Sequence, residues 1–175
     1  MWPPMPDFAP ITHETFVADV LAIAATLADD DWKPHWLVGV GRGGLVPGAY
    51  LSQATGIQLL SVDVSSRHIS FADELLEKLA AETRAGQRLL IVDDINDSGK
   101  TIGYLRRAIG EAGGVPDHVR VAVLINNIRS QAHVDYCSRT IDRASDKRWF
   151  VFPWEALAPE TRLVEDAADV PERLA

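Results

Sequence analysis

Short apolar runs alternate with longer stretches of helical periodicity along most of the chain. Besides a weaker candidate at Val134–Cys137, the apolar runs predict four strands: Trp36–Val40, Ile57–Val64, Arg88–Val92 and Val119–Ile125. The periodic stretches between and before them predict four helices: Thr12–Ala28, Leu45–Thr55, Ala72–Ala81 and Lys100–Ala112. Strands that alternate with helices in this way predict an α/β fold with a mainly parallel sheet flanked by helices.

The first helix has the clearest pattern of the four. Thr12 is suited to cap its first turn, and apolar residues recur along it at helical spacing. The residues expected on its buried face are Phe16, Val20, Leu21, Ala24 and Leu27.

The length and composition of the chain indicate its domain organisation. With 175 residues and 47% hydrophobic content, it is large enough for a full-sized core, so we expect a single domain over residues 1–175. Four prolines in residues 1–10 predict an extended N-terminal arm. Residues 65–87 are polar and long for a connection between two strands, which favours a mobile lid over a plain connector.

Charge and cysteine content narrow the partners and the location. The net charge of −8, without a basic block, argues against a nucleic-acid partner. No apolar run approaches the ~20 residues that a membrane span requires, so none is expected. The first residues lack the basic and apolar regions of a signal peptide, and Cys137 is the single cysteine, so no internal disulfide is expected. We therefore expect a cytoplasmic protein.

The segment LVGVGRGGLVPG includes the first predicted strand and has glycines at 39, 41 and 44 that satisfy the spacing G-x-G-x-x-G. This spacing lets a backbone approach phosphate closely and is typical of dinucleotide-binding enzymes. Asp63, at the end of the next strand, stands about where such enzymes hold a ribose hydroxyl. A nicotinamide-dependent enzyme is one hypothesis from this segment alone.

A second segment, LLIVDDINDSGKT at 89–101, combines an apolar strand, two adjacent acids and the start of a helix. Its final letters GKT look like the end of a P-loop, but Asp94 stands where that motif needs its first glycine. Unpaired amides at the start of the helix suit a phosphate. Asp93 and Asp94, at the carboxyl end of the strand, suit a ribose diol or a hydrated magnesium ion.

This second segment resembles the phosphoribosyl pyrophosphate (PRPP) motif of the type I phosphoribosyltransferases. The glycine segment at 41–48 is similar to the pyrophosphate loop of the xanthine-guanine (6-oxopurine) members of that family. Trp149–Glu155 is similar to their W-x-x-x-P-W-[DE] segment, which closes over the purine. The resemblance covers about residues 12–155. It implies the type I phosphoribosyltransferase fold, with a mobile lid and a small C-terminal hood that here includes residues 140–160.

The resemblance also implies an activity and a role for each matching residue. The activity is transfer of the 5-phosphoribosyl group from PRPP to guanine, hypoxanthine or xanthine in purine salvage, with Mg²⁺ as cofactor and release of pyrophosphate. The implied catalytic residues are Asp97, as the acid–base group, and Arg42, as a cation on the leaving group. The other implied sites are a PRPP-binding loop (Asp93, Asp94, Asp97, Ser98, Gly99, Lys100 and Thr101), a pyrophosphate loop (Gly41, Arg42, Gly43 and Gly44), a base-binding set (Asn126, Trp149, Phe150 and Glu155), the start of the lid (Ser65, Ser66 and Arg67) and a metal pair (Asp93 and Asp94).

The residue at 126 departs from the family pattern. Enzymes for 6-oxopurines usually carry a lysine where Asn126 stands. The identity of the base therefore stays undecided, and a weaker preference for xanthine is expected. A phosphoribosyltransferase for a different base is one alternative. A PRPP-binding regulatory protein with this fold but without turnover is another. The nicotinamide hypothesis leaves residues 89–101 unexplained. Because the family forms dimers and tetramers, we also expect a homodimer or homotetramer.

Overall fold

The computed structural model describes residues 6–63 and 69–168 of the chain. Its strands, in chain order, are β1 (Phe8–Pro10), β2 (Trp36–Val40), β3 (Gln58–Val62), β4 (Leu89–Asn96), β5 (Val119–Asn127), β6 (Tyr136–Ile141) and β7 (Trp149–Val151). Its helices are α1 (His13–Asp29), α2 (Gly41–Thr55), α3 (Ile69–Arg84), α4 (Lys100–Glu111) and α5 (Glu160–Ala168), with short 3₁₀ turns at Pro116–His118 and Pro153–Glu155.

Five of the strands form one parallel sheet in the order β3-β2-β4-β5-β6. The chain passes from β2 outward to β3 and then returns to place β4 on the other side of β2. The order of the strands therefore reverses between β2 and β4, and open α/β sheets bind ligands at the carboxyl ends of strands at such a point. The two segments singled out in the sequence, 37–48 and 89–101, contain the ends of these two strands and the residues that follow them.

Helices cover both faces of the sheet and divide the core into two clusters. On one face, α1 and α2 bury Phe16, Val20 and Leu51 against the sheet. On the other face, α3 and α4 bury Leu76 and Leu105. This arrangement, a mainly parallel sheet flanked by helices, confirms the predicted fold class.

The first helix confirms its predicted cap and corrects its predicted face. The Thr12 side chain accepts a hydrogen bond from the Thr15 amide, as an N-cap residue should. Leu21, however, is 55% exposed, whereas Ile23 is buried at 2%. The buried stripe follows positions 16, 20, 23 and 27, and a side chain one residue after position 20 points about 100° away from it.

The strands next to the site are longer than predicted. We expected β4 and β5 to end at Val92 and Ile125, but their ladder continues to the pair formed by Asn96 and Asn126. The apolar pattern could not show this, because polar residues can extend a parallel ladder through their backbone groups alone. The last strand of the sheet is β6, which lies two residues later than the weak candidate predicted for it.

The segment predicted as a lid, residues 65–87, is largely helical in the structure. Residues 69–84 form α3, and its Leu76, Leu79 and Ala80 side chains are buried against the sheet. These apolar residues recur at three- and four-residue spacing, so α3 belongs to the layer that covers this face. The expected lid residues Ser65, Ser66 and Arg67 lie outside the described part of the chain, and a lid over residues 65–87 stays a prediction.

The proline-rich arm and the aromatic tail pair with each other. β1 and β7 form a separate parallel two-stranded sheet in which Phe8 lies opposite Trp149. The aromatic tail then packs onto the first core cluster, since the Trp154 ring lies 5.3 Å from Phe16 and stacks on Phe152 at 4.8 Å. This small unit holds the C-terminal segment above the carboxyl ends of the strands.

The glycine segment is the largest correction to the predicted elements. We expected a loop before a helix at Leu45, but α2 begins at Gly41 and includes the glycines in its first turn. A Cβ atom on Gly44 would lie 2.0 Å from the Val92 carbonyl oxygen, so any side chain at Gly44 would push α2 away from β4. The glycine lets the helix begin in direct contact with the neighbouring strand.

We predict that Gly44→Ala destabilises the protein by at least about 2–3 kcal/mol, since its contact is with rigid backbone. The measurement is thermal or urea unfolding. Gly103→Ala is the matched control: its Cβ would meet nothing within 4 Å on α4, so it should stabilise the protein by about 0.5–1 kcal/mol. Equal effects of the two substitutions would contradict the proposed contact.

Candidate active site

A cavity of about 550 Å³ opens at the carboxyl ends of β2 and β4. Its lining comes from four parts of the chain: the start of α2, the end of β4, the start of α4 and the C-terminal segment. The lining residues are Val40, Gly41, Arg42, Gly43, Asp93, Asp94, Thr101, Trp154, Glu155, Leu157, Ala158, Pro159, Arg162, Leu163 and Asp166. The cavity therefore occupies the place where the reversal in strand order predicts a ligand.

The first turn of α2 faces this cavity with its backbone. Gly41, Arg42 and Gly43 line it, and no side chain caps the N-terminus of the helix. The first amides of a helix have no partner within the helix, and its dipole favours negative charge at this end. This turn can therefore bind an anion such as a phosphate group. Arg42 is exposed beside these amides and can add a planar cation to them.

The glycine at 43 brings this helix start against the acids of β4. A Cβ atom on Gly43 would lie 2.5 Å from Oδ2 of Asp94, so the contact leaves no room for a side chain. An anion bound at α2 would consequently lie beside the Asp94 carboxylate. Such an anion requires a cation between the two groups.

A second helix begins at the same edge of the sheet. Gly99, with φ of +86°, precedes α4 and has no side chain to cap it, while Oγ of Ser98 accepts a hydrogen bond from the Lys100 amide at 3.3 Å. Of the five residues expected to bind a 5-phosphate, Thr101 lines the cavity, while the segment 97–100 lies next to it along the chain. Gly99 is tightly enclosed, since its Cβ would lie 2.6 Å from the Ala132 amide nitrogen. The cavity thus has a helix N-terminus on each side of the acid pair.

Burial and mutual repulsion perturb the acids in the cavity. Burial is the main cause that raises the pKa of Asp93 well above its usual range, and repulsion by Asp94 adds to it. Burial, and then repulsion by Glu155, raise the pKa of Asp94 to about 7. The pKa of Glu155 is also raised, first by burial and then by Asp166, while its carboxylate accepts a hydrogen bond from the Phe152 amide at 2.8 Å. The cavity therefore disfavours full ionisation of these acids at neutral pH unless a cation binds beside them.

The far wall of the cavity was missed by the sequence reasoning. Helix α5 contributes Arg162, Leu163 and Asp166, and the turn before it contributes Leu157, which is 96% exposed. Asp166 lies four residues after Arg162 and three after Leu163, so it is on the same side of α5 as each of them. The amphipathic spacing of residues 160–168 is the signal that could have revealed this wall.

A family model for the phosphoribosyl transferase domain matches residues 11–160. The chain belongs to the phosphoribosyltransferase family. The matched range contains both helix starts and the acid pair, whereas α5 lies almost entirely beyond it.

Solved structures of similar fold agree with this assignment. The purine phosphoribosyltransferase from Pyrococcus horikoshii Ot3 has a TM-score of 0.65 and 25% identity, over 87% of this chain and 97% of that one. The xanthine-guanine-hypoxanthine phosphoribosyltransferase of Helicobacter pylori has a TM-score of 0.62 and 19% identity, over 85% and 94%. A hypothetical protein from Neisseria gonorrhoeae with bound ppGpp has a TM-score of 0.65 and 19% identity, over 98% and 99%. The expected type I phosphoribosyltransferase fold is therefore confirmed.

The cavity brings together only part of the predicted phosphoribosyltransferase site. The predicted residues that line it are Gly41, Arg42, Gly43, Asp93, Asp94, Thr101 and Glu155. Those outside its lining are Gly44, Asp97, Ser98, Gly99, Lys100, Asn126, Trp149 and Phe150. Gly44 lies buried below the helix start, and Phe150 is buried at 8%. The roles of all these residues stay predictions.

Asp97, the predicted acid–base residue, has a partner that the sequence did not reveal. Both of its carboxylate oxygens accept hydrogen bonds from Arg143, each at 2.8 Å. Its backbone carbonyl accepts a further bond from the Asn127 side chain at 2.9 Å. Arg143 itself is 2% exposed. These contacts hold Asp97 in one orientation beside the start of α4.

The side-chain amide of Asn126 is oriented by its neighbour Asn96. Nδ2 of Asn96 donates both to the Ala132 carbonyl, at 3.0 Å, and to Oδ1 of Asn126, at 2.8 Å. Because a carbonyl can only accept, the nitrogen of Asn96 must face it, and the oxygen of Asn126 must face Asn96. Asn126 is therefore left with its NH₂ group as the end that can donate to a ligand.

Across the described residues, no helix is both long and apolar enough to cross a membrane. The described residues also contain no group of three or more histidine, cysteine, aspartate or glutamate side chains arranged to hold a metal ion.

We predict that Asp94→Asn stabilises the ligand-free protein at alkaline pH. An aspartate titrates near 4 in an unfolded chain and Asp94 near 7 in the folded protein, so folding favours its protonated form. Its contribution to stability falls as the pH rises from about 4 to 7. The melting temperature of Asp94→Asn should exceed that of the parent by about 2–4 °C at pH 8, and the gap should close by pH 5.

Asp117→Asn is the control, because Asp117 is exposed and lies remote from the cavity, before β5. Its melting temperature should follow that of the parent at both pH values. A lower melting temperature of Asp94→Asn at pH 8 would show that Asp94 is not electrostatically strained.

Proposed function

We propose that this protein transfers the 5-phosphoribosyl group of PRPP to a purine base, with release of pyrophosphate. One observation carries the proposal: the starts of α2 and α4 and a half-buried pair of carboxylates contribute to one cavity at the reversal point of the sheet. PRPP carries a pyrophosphate, a ribose diol and a 5-phosphate. Two helix starts suit its two phosphate groups, and the carboxylate pair suits the diol, which supports PRPP as the ligand.

In this arrangement each part of the chain has one task. The amides of 41–43 and the Arg42 guanidinium bind the pyrophosphate, and residues 97–101 at the start of α4 bind the 5-phosphate. Asp93 and Asp94 accept hydrogen bonds from the two ribose hydroxyls between them. Because these groups are already in place, they stabilise charge on the departing pyrophosphate without reorganising.

The acid pair also fits magnesium carried by the pyrophosphate. Asp93 and Asp94 offer hard oxygen donors, and burial, the main cause of their raised pKa values, makes a cation bound beside them favourable. Magnesium, when bound with PRPP, would neutralise charge on the leaving group. Asp94 and Asp93 would hold its water molecules. Its positive charge would also offset the repulsion between the Asp94 carboxylate and the anion at α2.

The transfer is balanced within the two substrates. The bond between C1 of the ribose and the pyrophosphate oxygen breaks, and its electron pair leaves with pyrophosphate. A purine ring nitrogen supplies the electron pair of the new bond to C1, and the proton of the ring is released. Asp97 accepts that proton during the transfer, or it accepts a hydrogen bond from the ring N–H and so orients the ring.

Two features support a purine base as the second substrate: a hydrogen-bond donor and an aromatic ring. The NH₂ group of Asn126 suits the exocyclic oxygen of guanine or hypoxanthine better than the amino group of adenine. It brings no positive charge, so xanthine, which ionises readily, should be a weaker substrate. Trp149 supplies a ring for stacking, Phe150 supplies backbone groups for the purine edge, and Glu155 lies on the cavity wall. The named purine specificity of the similar proteins from P. horikoshii and H. pylori agrees with this assignment.

The remaining parts of the proposal concern partners and context. The protein acts on small molecules in purine salvage, as a homodimer or homotetramer in the cytoplasm. Lys100, which is exposed at the start of α4, faces the 5-phosphate side or the solvent.

We predict that the protein releases pyrophosphate when it is given Mg²⁺, PRPP and guanine or hypoxanthine. The measurement is a panel of purine and pyrimidine bases, with pyrophosphate assayed by a coupled enzyme and the nucleotide product identified by chromatography. Turnover should fall with xanthine and be lost when a chelator removes Mg²⁺. PRPP binding without turnover on any base would favour a regulatory protein, and turnover on adenine or a pyrimidine alone would favour a different substrate.

We predict that Arg42→Gln lowers kcat/KM for PRPP about 10²-fold, because it removes a cation that stabilises the leaving group. KM for the base should change little. Arg107→Gln is the matched control, since Arg107 is an exposed arginine on α4 that does not line the cavity. If Arg42→Gln kept kcat/KM within twofold of the parent, Arg42 would have no role in the departure of pyrophosphate.

A further inference from the structure

Arg143 is a buried arginine placed between the two halves of the proposed site. It follows β6 by two residues, and its side chain is 2% exposed. Its Nε and Nη2 atoms donate to the two oxygens of Asp97, each at 2.8 Å. This is the two-point geometry in which a guanidinium fixes a carboxylate most firmly.

The other contacts of Arg143 fix the segment that leads into β7. Its Nη1 atom donates to the carbonyl of Asp146 at 3.1 Å and to that of Arg148 at 2.6 Å. The guanidinium also lies over the Phe150 ring, 5.4 Å from its centre. The segment that carries the proposed base-binding residues is thus tied to one side chain.

Asn127 connects both Asp97 and Arg143 to the end of β5 in the sheet. It donates to the carbonyl of Asp97 at 2.9 Å, and its oxygen lies 3.3 Å from the Arg143 amide that donates to it. Asn127 is 1% exposed at the end of β5. The start of α4, the end of β5 and the approach to β7 therefore meet at Arg143 and Asp97.

Stability alone is a poor reason for this arrangement. Removing two charges from water costs free energy that their attraction only partly repays, so a buried pair is often no more stabilising than apolar residues of the same volume. What such a pair does provide is a single geometry. Asp97 can accept about four hydrogen bonds on its two oxygens, and Arg143 takes one on each, so capacity for a purine N–H remains.

We propose that Arg143 is a positioning residue that holds the Asp97 carboxylate toward the base and fixes the base-binding segment to the PRPP loop. The inference rests on the proposed function and deepens it. Arg143 does not touch either substrate. It acts through Asp97 on one side and through the carbonyls of the segment 146–148 on the other.

A merely structural role and a positioning role have different kinetic consequences. If Arg143 acts through Asp97, then removing it after Asp97 has been neutralised should cost little further activity, because coupled residues are not additive. If Arg143 only stabilises the fold, the melting temperature should fall while kcat at a permissive temperature stays unchanged. The two roles are separated by a double-mutant cycle in kcat, with stability measured beside it.

The experiment compares the parent with Asp97→Asn, Arg143→Gln, their combination, and Arg143→Lys. Steady-state kinetics are measured at saturating Mg²⁺ and PRPP with the base varied, and PRPP affinity is measured by calorimetry. Arg143→Lys keeps the buried charge, so it tests the proposal even where loss of the charge prevents folding. Arg106→Gln is the control, since it removes an arginine–aspartate pair, with Asp135 at 3.1 Å, that lies outside the lining of the cavity.

We expect Arg143→Gln and Asp97→Asn each to lower kcat at least tenfold and the double variant to be within threefold of Asp97→Asn. Arg143→Lys should lie between the parent and Arg143→Gln and should raise KM for the base several-fold. PRPP affinity should change less than threefold throughout, and Arg106→Gln should behave as the parent.

Two results would overturn the inference: kcat and KM of Arg143→Lys equal to the parent values, or single effects that multiply in the double variant. Failure of the proposed function would look different, because the parent protein itself would then turn over no base in the panel. In that case the inference, which rests on transfer to a base, falls with the proposed function.

Discussion

The carbonyl oxygen of Val92 lies where the side chain of residue 44 would begin, 2.0 Å from its ideal Cβ position. This contact forces glycine at 44 and brings the start of α2 against the end of β4. The same approach places Gly43 against the Asp94 carboxylate, at 2.5 Å from its ideal Cβ. An anion at the helix start and a cation at the acid pair can consequently share one cavity. If α2 began farther from β4, the two sites would be separate.

The electrostatics of the cavity follow from that close approach. A helix start favours an anion, whereas the half-buried carboxylates beside it repel one and repel each other. Burial and repulsion between neighbouring acids raise the pKa values of Asp93 and Asp94, so full ionisation of the pair is unfavourable without a cation. A phosphate-bearing ligand that brings its own divalent cation would satisfy both requirements together. This arrangement supports the proposal that the ligand is a pyrophosphate that arrives with magnesium.

The sequence predicted those parts of the molecule that local pattern determines. β2 was predicted at its observed bounds because its apolar run is bounded by polar and glycine residues. The PRPP segment was predicted from its own composition, and the start of α4 was placed correctly at Lys100. In contrast, the start of α2 was predicted four residues late, since glycines have low helix propensity and only the contact with Val92 explains their place in a helix.

Long-range pairing sets the limit of such prediction at the site. Arg143 and Asp97 are 46 residues apart, and nothing near either residue indicates that they meet. The Asn127 side chain joins them only because β5 lies beside β4 in the sheet, an arrangement that follows from topology. In the sequence, a single carboxylate at the start of a helix is explained as an N-cap or an acid–base group. Nothing in the sequence therefore predicted an ionic partner for Asp97. Burial is the reason for the partner: once neighbouring segments enclose Asp97, its charge requires a counterion, which Arg143 supplies. In the proposed function, the same arginine also fixes the segment that binds the base.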